Sequence, residues 1–138
     1  MAEKKPIPNE ILMKKILAPV SLGELIDKIT ILQIKKSHLK EKPLENVELE
    51  LSELLSTLDK LAVNVDQAII ERLKNVNQNL WNIEDAIRDL ERQKTFGEDF
   101  IQLARSVYQT NDLRSAIKRE INLTYHSTFI EEKSYQEY

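Results

Sequence analysis

Apolar residues recur every three or four positions along most of this chain, which is the period of helices that bury one side. One run, in the segment 44–61, is spaced 3, 4, 3, 4, 3 and consists of Leu44, Val47, Leu51, Leu54, Leu58 and Leu61. A second run, in the segment 73–90, has the same spacing and consists of Leu73, Val76, Leu80, Ile83, Ile87 and Leu90. Asn64 with Gln67 is expected to cap the second helix, predicted over 65–93. We call each of these apolar runs the seam of its helix. Because the two seams have the same spacing and the link between the two helices is short, we predict that these helices form one long antiparallel hairpin.

A further helix is predicted upstream, beginning after Ser21. Ser21 and Glu24 have the S-x-x-E spacing of a capping box, in which the serine hydroxyl accepts a hydrogen bond from an N–H of the first turn. The run that follows is apolar on nearly every side and contains Leu25, Ile26, Ile29, Ile31, Leu32 and Ile34. A helix with this pattern is predicted to lie at the centre of its bundle. Pro43 marks the break before the next helix.

The N-terminal region carries no helical signal. Residues 1–12 are predicted to form a flexible leader, because Pro6 and Pro8 oppose a helix there. The segment 13–20, MKKILAPV, is predicted to be extended. One strand alone cannot form a sheet, so this segment is expected to pack on the helices or to pair with another copy of the chain.

The chain after Gly97 is predicted to contain two short helices. The first covers about 98–108, and Thr110 and Asn111 are expected to form the turn that ends it. Asn111 or Asp112 then caps a fifth helix.

Composition fits a helical fold and excludes several classes of protein. The 138 residues are 41% hydrophobic, which is enough for one domain with a true core, and 2 glycines and 4 prolines are too few for most β folds of this size. No cysteine is present, so disulfides, thiolate metal sites and cysteine nucleophiles are excluded. We therefore predict an all-α protein: a single-domain antiparallel helical bundle over 13–138, built around the long hairpin, with a short extended N-terminal segment.

Charge and hydropathy narrow the setting further. The net charge of −3 argues against a nucleic-acid binder, which is usually basic. No apolar run approaches the roughly 20 residues of a membrane-spanning helix, and the N-terminus lacks the apolar core of a signal peptide. A cytoplasmic location without membrane partners is therefore predicted. No cofactor or metal site is predicted, because His38 and His126 lie on different predicted helices without ligand-spaced partners.

Two enzyme classes are similar in part. All-helical nucleotide pyrophosphohydrolases use E-x-x-E pairs on one helix and an E-x-x-D pair on the next. This chain has the first pattern at 45–48 and 50–53, but Glu84 lacks an acid three residues later. The segment ELIDKITIL at 24–32 is loosely similar to the first helix of helical chorismate mutases. That family binds its dicarboxylate with arginines, and this helix offers only Lys28.

Asp27 and Lys28 interrupt the most apolar helix of the chain. A carboxylate on a central helix must meet a cation or a hydrogen-bond donor, or become neutral. One interpretation is an ion pair between Asp27 and one of three arginines, Arg88, Arg105 or Arg114. The other interpretation is a polar ligand pocket at the start of this helix.

The segment 105–119 is the densest polar cluster, and its candidate ligand-binding residues are Arg105, Tyr108, Asn111, Arg114 and Lys118. Several bases beside a turn and a helix N-terminus are typical of an anion site. The same residues have a structural interpretation, in which Asn111 caps a helix and Arg105 pairs with Glu84 or Asp85. A DNA-binding helix-turn-helix at 98–122 is a third interpretation, which the acidic composition opposes.

A polar stripe with one large aromatic residue lies beside the second seam and consists of Asn77, Trp81, Glu84, Arg88 and Glu91. A tryptophan flanked by charges often lies at a protein interface. We therefore expect Trp81 to contribute to self-association.

Four segments carry a family resemblance: SLGELIDKITIL, LWNIEDAIRDLE, LARSVYQTNDLRSAIKREIN and EEKSY. They resemble the motifs of a bacterial family of small helical proteins of unknown function, over about residues 16–138. The resemblance implies a helical fold and no established activity. Its motifs comprise Ser21, Glu24, Asp27, Lys28, Trp81, Glu84, Asp85, Arg88, Arg105, Tyr108, Asn111, Asp112, Arg114, Lys118, Glu131, Glu132 and Lys133.

The patterns favour a non-enzymatic helical interaction or scaffold protein that self-associates as a homodimer. The alternative is a binder of, or enzyme acting on, a small anionic ligand that bears phosphate or carboxylate, and the nucleotide pyrophosphohydrolases are the nearest enzymatic comparison. If catalysis occurs, Glu84 or Asp85 is the acid–base candidate. The predicted ligand-binding residues are Asp27, Lys28, Glu84, Asp85, Arg88, Arg105, Tyr108, Asn111, Arg114 and Lys118.

Overall fold

A computed structural model describes residues 15–138 of the chain. The secondary structure in this range consists of four helices: α1 (Leu22–His38), α2 (Glu41–Lys60), α3 (Gln67–Arg92) and α4 (Glu98–Thr124). The all-α prediction is confirmed. The predicted leader, 1–12, and the first two residues of the predicted extended segment lie outside the described residues.

Residues 15–20 lead into α1 without regular secondary structure. The apolar side chains of Ile16 and Leu17 have no cover from residues 15–138, since they are 94% and 85% exposed. The expectation that this segment packs on its own helices is therefore wrong. It is held at one point by Lys15, whose Nζ donates to the Glu53 carboxylate at 2.8 Å.

The four helices form two hairpins, α1–α2 and α3–α4, which pack together through α1. Arg72 near the start of α3 donates to Glu120 near the end of α4 at 3.0 Å, so the long hairpin is antiparallel. The predicted hairpin joined the helices that correspond to α2 and α3, and this pairing is wrong. The long hairpin is α3–α4, and α2 packs on α1 without approaching the α3 backbone. The physical reason is α1, which is apolar all round and takes both seams onto its own surface.

Two apolar cores lie on different sides of α1. The first consists of Leu22, Ile26, Ile69, Leu73, Ile117 and Ile121 and joins α1 to the long hairpin. The second consists of Leu25, Ile29, Leu32, Val47 and Leu51 and joins α1 to α2. The central position predicted for the first helix is confirmed.

The last helix is longer than the sequence predicted. α4 runs for 27 residues through the expected turn at Thr110 and Asn111, so the two short helices and the helix-turn-helix are wrong. Residues 98–124 contain no glycine or proline to break a helix, and the capping preference of Asn111 and Asp112 alone does not end one. Both residues therefore lie on the surface of a continuous helix, where they cap nothing.

The start of α3 also differs from the prediction. The N-cap is Asp66, whose Oδ1 accepts a hydrogen bond from the Ala68 N–H at 3.0 Å, and the helix begins at Gln67. The cap predicted at Asn64 is wrong. Aspartate at this position accepts from the free N–H groups of the first turn and places negative charge at the positive end of the helix.

The α3–α4 hairpin has two unlike halves. We define its outer half as residues 82–106 and its root half as residues 67–81 with 107–124. Neither apolar core includes a residue of the outer half. No residue of the outer half is buried, and the side-chain hydrogen bonds found for it in the described chain stay within one helix. Among the described helices, none combines the length and apolar character that crossing a membrane requires.

Candidate functional site

A fully buried carboxylate, Asp27, lies where α1 meets the long hairpin. The guanidinium of Arg114 binds both of its oxygens, and its Nε donates to Oδ1 at 3.0 Å. Asn77 Nδ2 donates to the same oxygen at 2.8 Å and to Thr30 Oγ1 at 2.9 Å. The ion-pair interpretation of Asp27 is thus correct, and Arg114 is the partner among the three arginines considered. The Asp27 carboxylate thus accepts three hydrogen bonds, two at Oδ1 and one at Oδ2, and joins α1 to α3 and α4.

Lys118 is a second cation beside Asp27, and its side chain is only 7% exposed. Its Nζ binds Glu24 at 2.6 Å and Glu131 at 2.9 Å, and it lies 3.8 Å from Asp27 Oδ2. Burial opposes the charged ammonium, but the hydrogen bonds to Glu24 and Glu131 and the nearby carboxylates outweigh it. The pKa of Lys118 is therefore raised.

Arg114 is held in its charged form by the same cluster. The hydrogen bonds to Asp27 are the largest cause of its raised pKa, and burial of the guanidinium acts in the opposite direction. Glu24 of α1 bonds to Lys118 of α4 and so adds a second ion pair between these two helices.

The first turn of α1 is bonded by side chains from both ends of the chain. The Glu24 N–H donates to Ser21 Oγ at 3.0 Å, which confirms Ser21 as the predicted cap. The N–H groups of Leu22 and Gly23 donate to Ser127 Oγ at 3.0 Å and Asn122 Oδ1 at 2.7 Å. These amides are satisfied within the protein, so this helix terminus offers no free donors to an anion.

The C-terminal segment, residues 128–138, lies along α4 without regular structure. Two consecutive carboxylates face two consecutive bases: Glu131 binds Lys118, and Glu132 accepts twice from Arg119 Nη1 at 3.0 Å. Farther along, Lys133 binds the Asp112 carboxylate.

The end of the chain adds a second contact at Asp112. Tyr138 Oη donates to Asp112 Oδ2 at 2.7 Å, and its ring meets that of Tyr108 edge-on at 5.1 Å. The hydrogen bonds from Lys133 and Tyr138 lower the pKa of Asp112. The hydrogen bond between Tyr138 and Asp112 also raises the pKa of the Tyr138 hydroxyl. The segment is thus held to α4 mostly by charge pairs near the surface.

A cleft of about 1150 Å³ separates α4 from the C-terminal segment. Four of the predicted site residues line it, namely Tyr108, Asn111, Arg114 and Lys118. Asp27 is bonded to two of these from below, so the structure brings five of the ten predicted residues together.

The other five predicted residues do not reach the cleft. Lys28 is exposed on α1. Glu84 and Arg88 pair with each other on the outer half, and Asp85 is exposed beside them. Arg105 is exposed and has no hydrogen bond or ion pair within residues 15–138, so the expected pair with Glu84 or Asp85 does not form.

Asn122 is a further candidate residue of the cleft, which was not predicted from the sequence. It is 1% exposed, it lines the cleft, and its amide nitrogen has no hydrogen-bond partner among the described residues. A signal was present, because Arg114, Lys118 and Asn122 are spaced four apart and so share one face of α4. The missing information was the close approach of Gly23 to α4, which buries the Asn122 amide.

Two members of the predicted polar stripe have partners inside the fold. Asn77 is 5% exposed and bonds Asp27. Trp81 is half-buried, and its ring stacks on that of His38 with 4.6 Å between centroids. The indole N–H of Trp81 is buried without an acceptor in the described chain.

The carboxylates that motivated the pyrophosphohydrolase comparison are exposed on α2. Within residues 15–138, no group of three or more histidine, aspartate or glutamate side chains is placed to hold a metal ion. The chemical capacity of the site lies instead in the bases of α4, which can bind oxyanions.

The family resemblance is confirmed by comparison with known families. The chain belongs to the DUF6165 family of unknown function, whose profile matches residues 16–138. No curated protein and no solved structure matches the chain.

Proposed function

We propose that this protein is a helical interaction protein that self-associates, and that the outer half of the α3–α4 hairpin forms the contact between two copies. The observation that carries the proposal is the lack of any buried residue in 82–106. This half continues the apolar seams of both helices with Ile83, Ile87, Leu90 and Leu103.

A pair of helices cannot enclose its own seam, because each helix covers only one side of the other. Two such hairpins packed together through the exposed faces of their α4 helices form a four-helix bundle. A second copy of this chain is therefore a suitable occupant, since it supplies a matching hairpin of the same length. A two-fold arrangement closes the assembly at a dimer.

The charge pattern on the exposed face of α4 supports a second copy of the chain as the partner. Glu98, Ile101 and Arg105 are spaced three and four apart, so they lie on one face, and Ile101 is 47% exposed. If two α4 helices cross antiparallel near Ile101, Glu98 of one copy lies beside Arg105 of the other. Arg105 has no partner within residues 15–138, and this arrangement gives it one.

The test is sedimentation velocity of the full chain over a dilution series. The wild type is expected to be dimeric at high concentration and to dissociate on dilution. Ile101→Glu is expected to weaken the dimer at least about tenfold, because it buries a charge in the contact. Leu49→Glu is the matched control: Leu49 is 69% exposed on α2, away from the hairpin, and its variant should sediment like the wild type.

A charge exchange tests the antiparallel crossing directly. Arg105→Glu should weaken the dimer by repulsion from Glu98 of the second copy, and adding Glu98→Arg should restore it. A monomeric wild type at every concentration, or equal dissociation by Leu49→Glu, would overturn the proposal. Failure of the double variant to recover would overturn the crossing at Ile101.

A further inference from the structure

We propose that the cleft between α4 and the C-terminal segment binds a small anion with two acidic groups, which takes the place of the Glu131 and Glu132 carboxylates. This site lies in the root half of the hairpin and does not depend on self-association through the outer half. The ligand class is a compound with two carboxylate or phosphoryl groups close together.

The first argument is that two bases in the cleft are already occupied by carboxylates that are easily replaced. Lys118 Nζ binds Glu131 at 2.9 Å, and Arg119 Nη1 binds Glu132 at 3.0 Å. The side chains of the two glutamates are 64% and 74% exposed. The Arg119–Glu132 pair is exposed on both sides and contributes little to stability, and the glutamate that pairs with buried Lys118 is itself exposed. A dissolved anion can therefore compete with both carboxylates for these bases.

The second argument is the orphaned amide of Asn122, which lines the same cleft and is buried. Its Oδ1 accepts from the Gly23 N–H at 2.7 Å, which fixes the orientation of the amide, because a backbone N–H can only donate. The Nδ2 group is left with two donors and no acceptor within residues 15–138. A buried donor without an acceptor is rare, and an oxyanion supplies the acceptor that it lacks.

The third argument is preorganisation of the bases. The Lys118 side chain is 7% exposed, and Glu24 and Arg114's partner Asp27 hold it in place. Its desolvation and ordering therefore occur on folding and are not repeated when a ligand binds. Of the charged α4 residues that line the cleft, Arg114, Lys118 and Arg119 are basic and only Asp112 is acidic. The remaining acids in the lining belong to the C-terminal segment itself.

The consequence is competition between the ligand and the chain's own C-terminal segment. The ligand can bind only the molecules in which the segment is displaced. Its apparent affinity is therefore the intrinsic affinity multiplied by the fraction of molecules in that state. Removing the charges of Glu131 and Glu132 raises that free fraction while leaving the bases of α4 intact.

The experiment is isothermal titration calorimetry of the full chain at low ionic strength, with pyrophosphate and succinate as probes. The phosphoryl and carboxylate probes distinguish the two chemical sources of the ligand. At least one probe should bind saturably, and the variant Glu131→Gln/Glu132→Gln should bind it about tenfold more tightly than the wild type. Arg119→Gln should weaken binding about tenfold and leave the melting temperature without probe unchanged.

The matched control is Arg72→Gln. Arg72 is an exposed arginine of the same hairpin whose ion pair with Glu120 has the same 3.0 Å length, but it does not line this cleft. Its variant should bind like the wild type. The proposal is overturned if neither probe binds the double glutamine variant, if that variant shows no gain, or if Arg72→Gln loses as much affinity as Arg119→Gln.

Discussion

The two halves of the α3–α4 hairpin have similar seams but very different surroundings. In the root half, α1 lies in the groove, and Leu73 and Ile121 are completely buried. In the outer half, the same 3–4 spacing continues through Ile83 and Ile87, and neither is buried. The spacing of apolar residues therefore shows which side chains can be buried, but whether they are buried depends on a neighbouring element that packs against them.

The halves also differ in how they use charge. In the root half, charged and polar groups bond between elements, as in the contacts of Asp27 with Arg114 and Asn77. In the outer half, the ion pairs are local and exposed, as between Glu84 and Arg88. Networks between elements fix a unique packing, whereas local pairs stabilise a single helix only slightly.

The largest expected difference is between a buried carboxylate that bonds the root half, Asp27, and an exposed one in the outer half, Glu84. Asp27→Ala leaves Arg114 and Asn77 without their buried acceptor, and we expect a loss of about 4 kcal/mol in the free energy of unfolding. Glu84→Ala removes an exposed pair and should cost less than about 0.5 kcal/mol. Urea unfolding followed by circular dichroism measures both. Similar losses for the two variants would contradict the distinction between the halves.

A smaller difference is expected for the leucines of the α3 seam. Leu73 is fully buried, so Leu73→Ala should cost about 3 kcal/mol. Leu90 is half-buried in the outer half, and Leu90→Ala should cost about 1 kcal/mol in the dilute monomer. Urea unfolding at two protein concentrations sharpens the comparison, because the half that contains Leu90 also carries the proposed dimer contact and the half that contains Leu73 does not. A concentration effect confined to Leu73 would be inconsistent with this picture.

The two glycines of the chain give a third comparison. A Cβ added at Gly23 would lie 2.5 Å from the Lys118 carbonyl oxygen, so α1 and α4 would have to separate. We expect Gly23→Ala to cost about 2 kcal/mol. A Cβ at Gly97 would have no neighbour within 4 Å, and Gly97→Ala should change stability by less than about 1 kcal/mol. The check is the shift of the urea midpoint, and a tolerated Gly23→Ala would mean that the close approach is not needed.

The sequence predicted the helical class and the central place of α1, because an all-round apolar pattern has only one stable location. It did not predict which helices pair, because the equal seams of α2 and α3 fit each other as well as they fit α1. It also placed a helix break at Asn111, where local capping preference favoured one. The continuous α4 shows that the absence of glycine and proline outweighs that preference.

The candidate site was also predicted only in part, because some of its features follow from the sequence pattern and others depend on how the helices pack. The burial of Asp27 follows from its place on α1, and a partner among three arginines could be expected from charge alone. The role of Asn122 could not, because it depends on the close approach of Gly23 to α4, which is a property of the packed structure. The covering of α4 by residues 128–138 likewise depends on pairs between distant parts of the chain.

The smallest expected effect concerns the C-terminal segment, which covers only the root half. The folded pKa of Asp112 lies below its ordinary value of 3.8, because Lys133 and Tyr138 bond to the ionised form. The contribution of ionised Asp112 to holding the C-terminal segment on α4 is therefore complete above about pH 3.8. It is lost as the pH falls through the lower pKa that Asp112 has in the folded protein. We expect residues 131–138 to become mobile in that range, as measured by NMR relaxation of the backbone amides, while the four helices stay ordered.

The variant Asp112→Asn assigns this change to one group. Residues 131–138 of this variant should be mobile already at neutral pH, and the part of the acid transition that belongs to Asp112 should disappear. The outer half provides an internal reference, because none of its side chains contacts the segment through a hydrogen bond or ion pair within residues 15–138. If the outer half became mobile together with the segment, the two halves would open as one unit, and their separation into a covered root and an uncovered end would not hold.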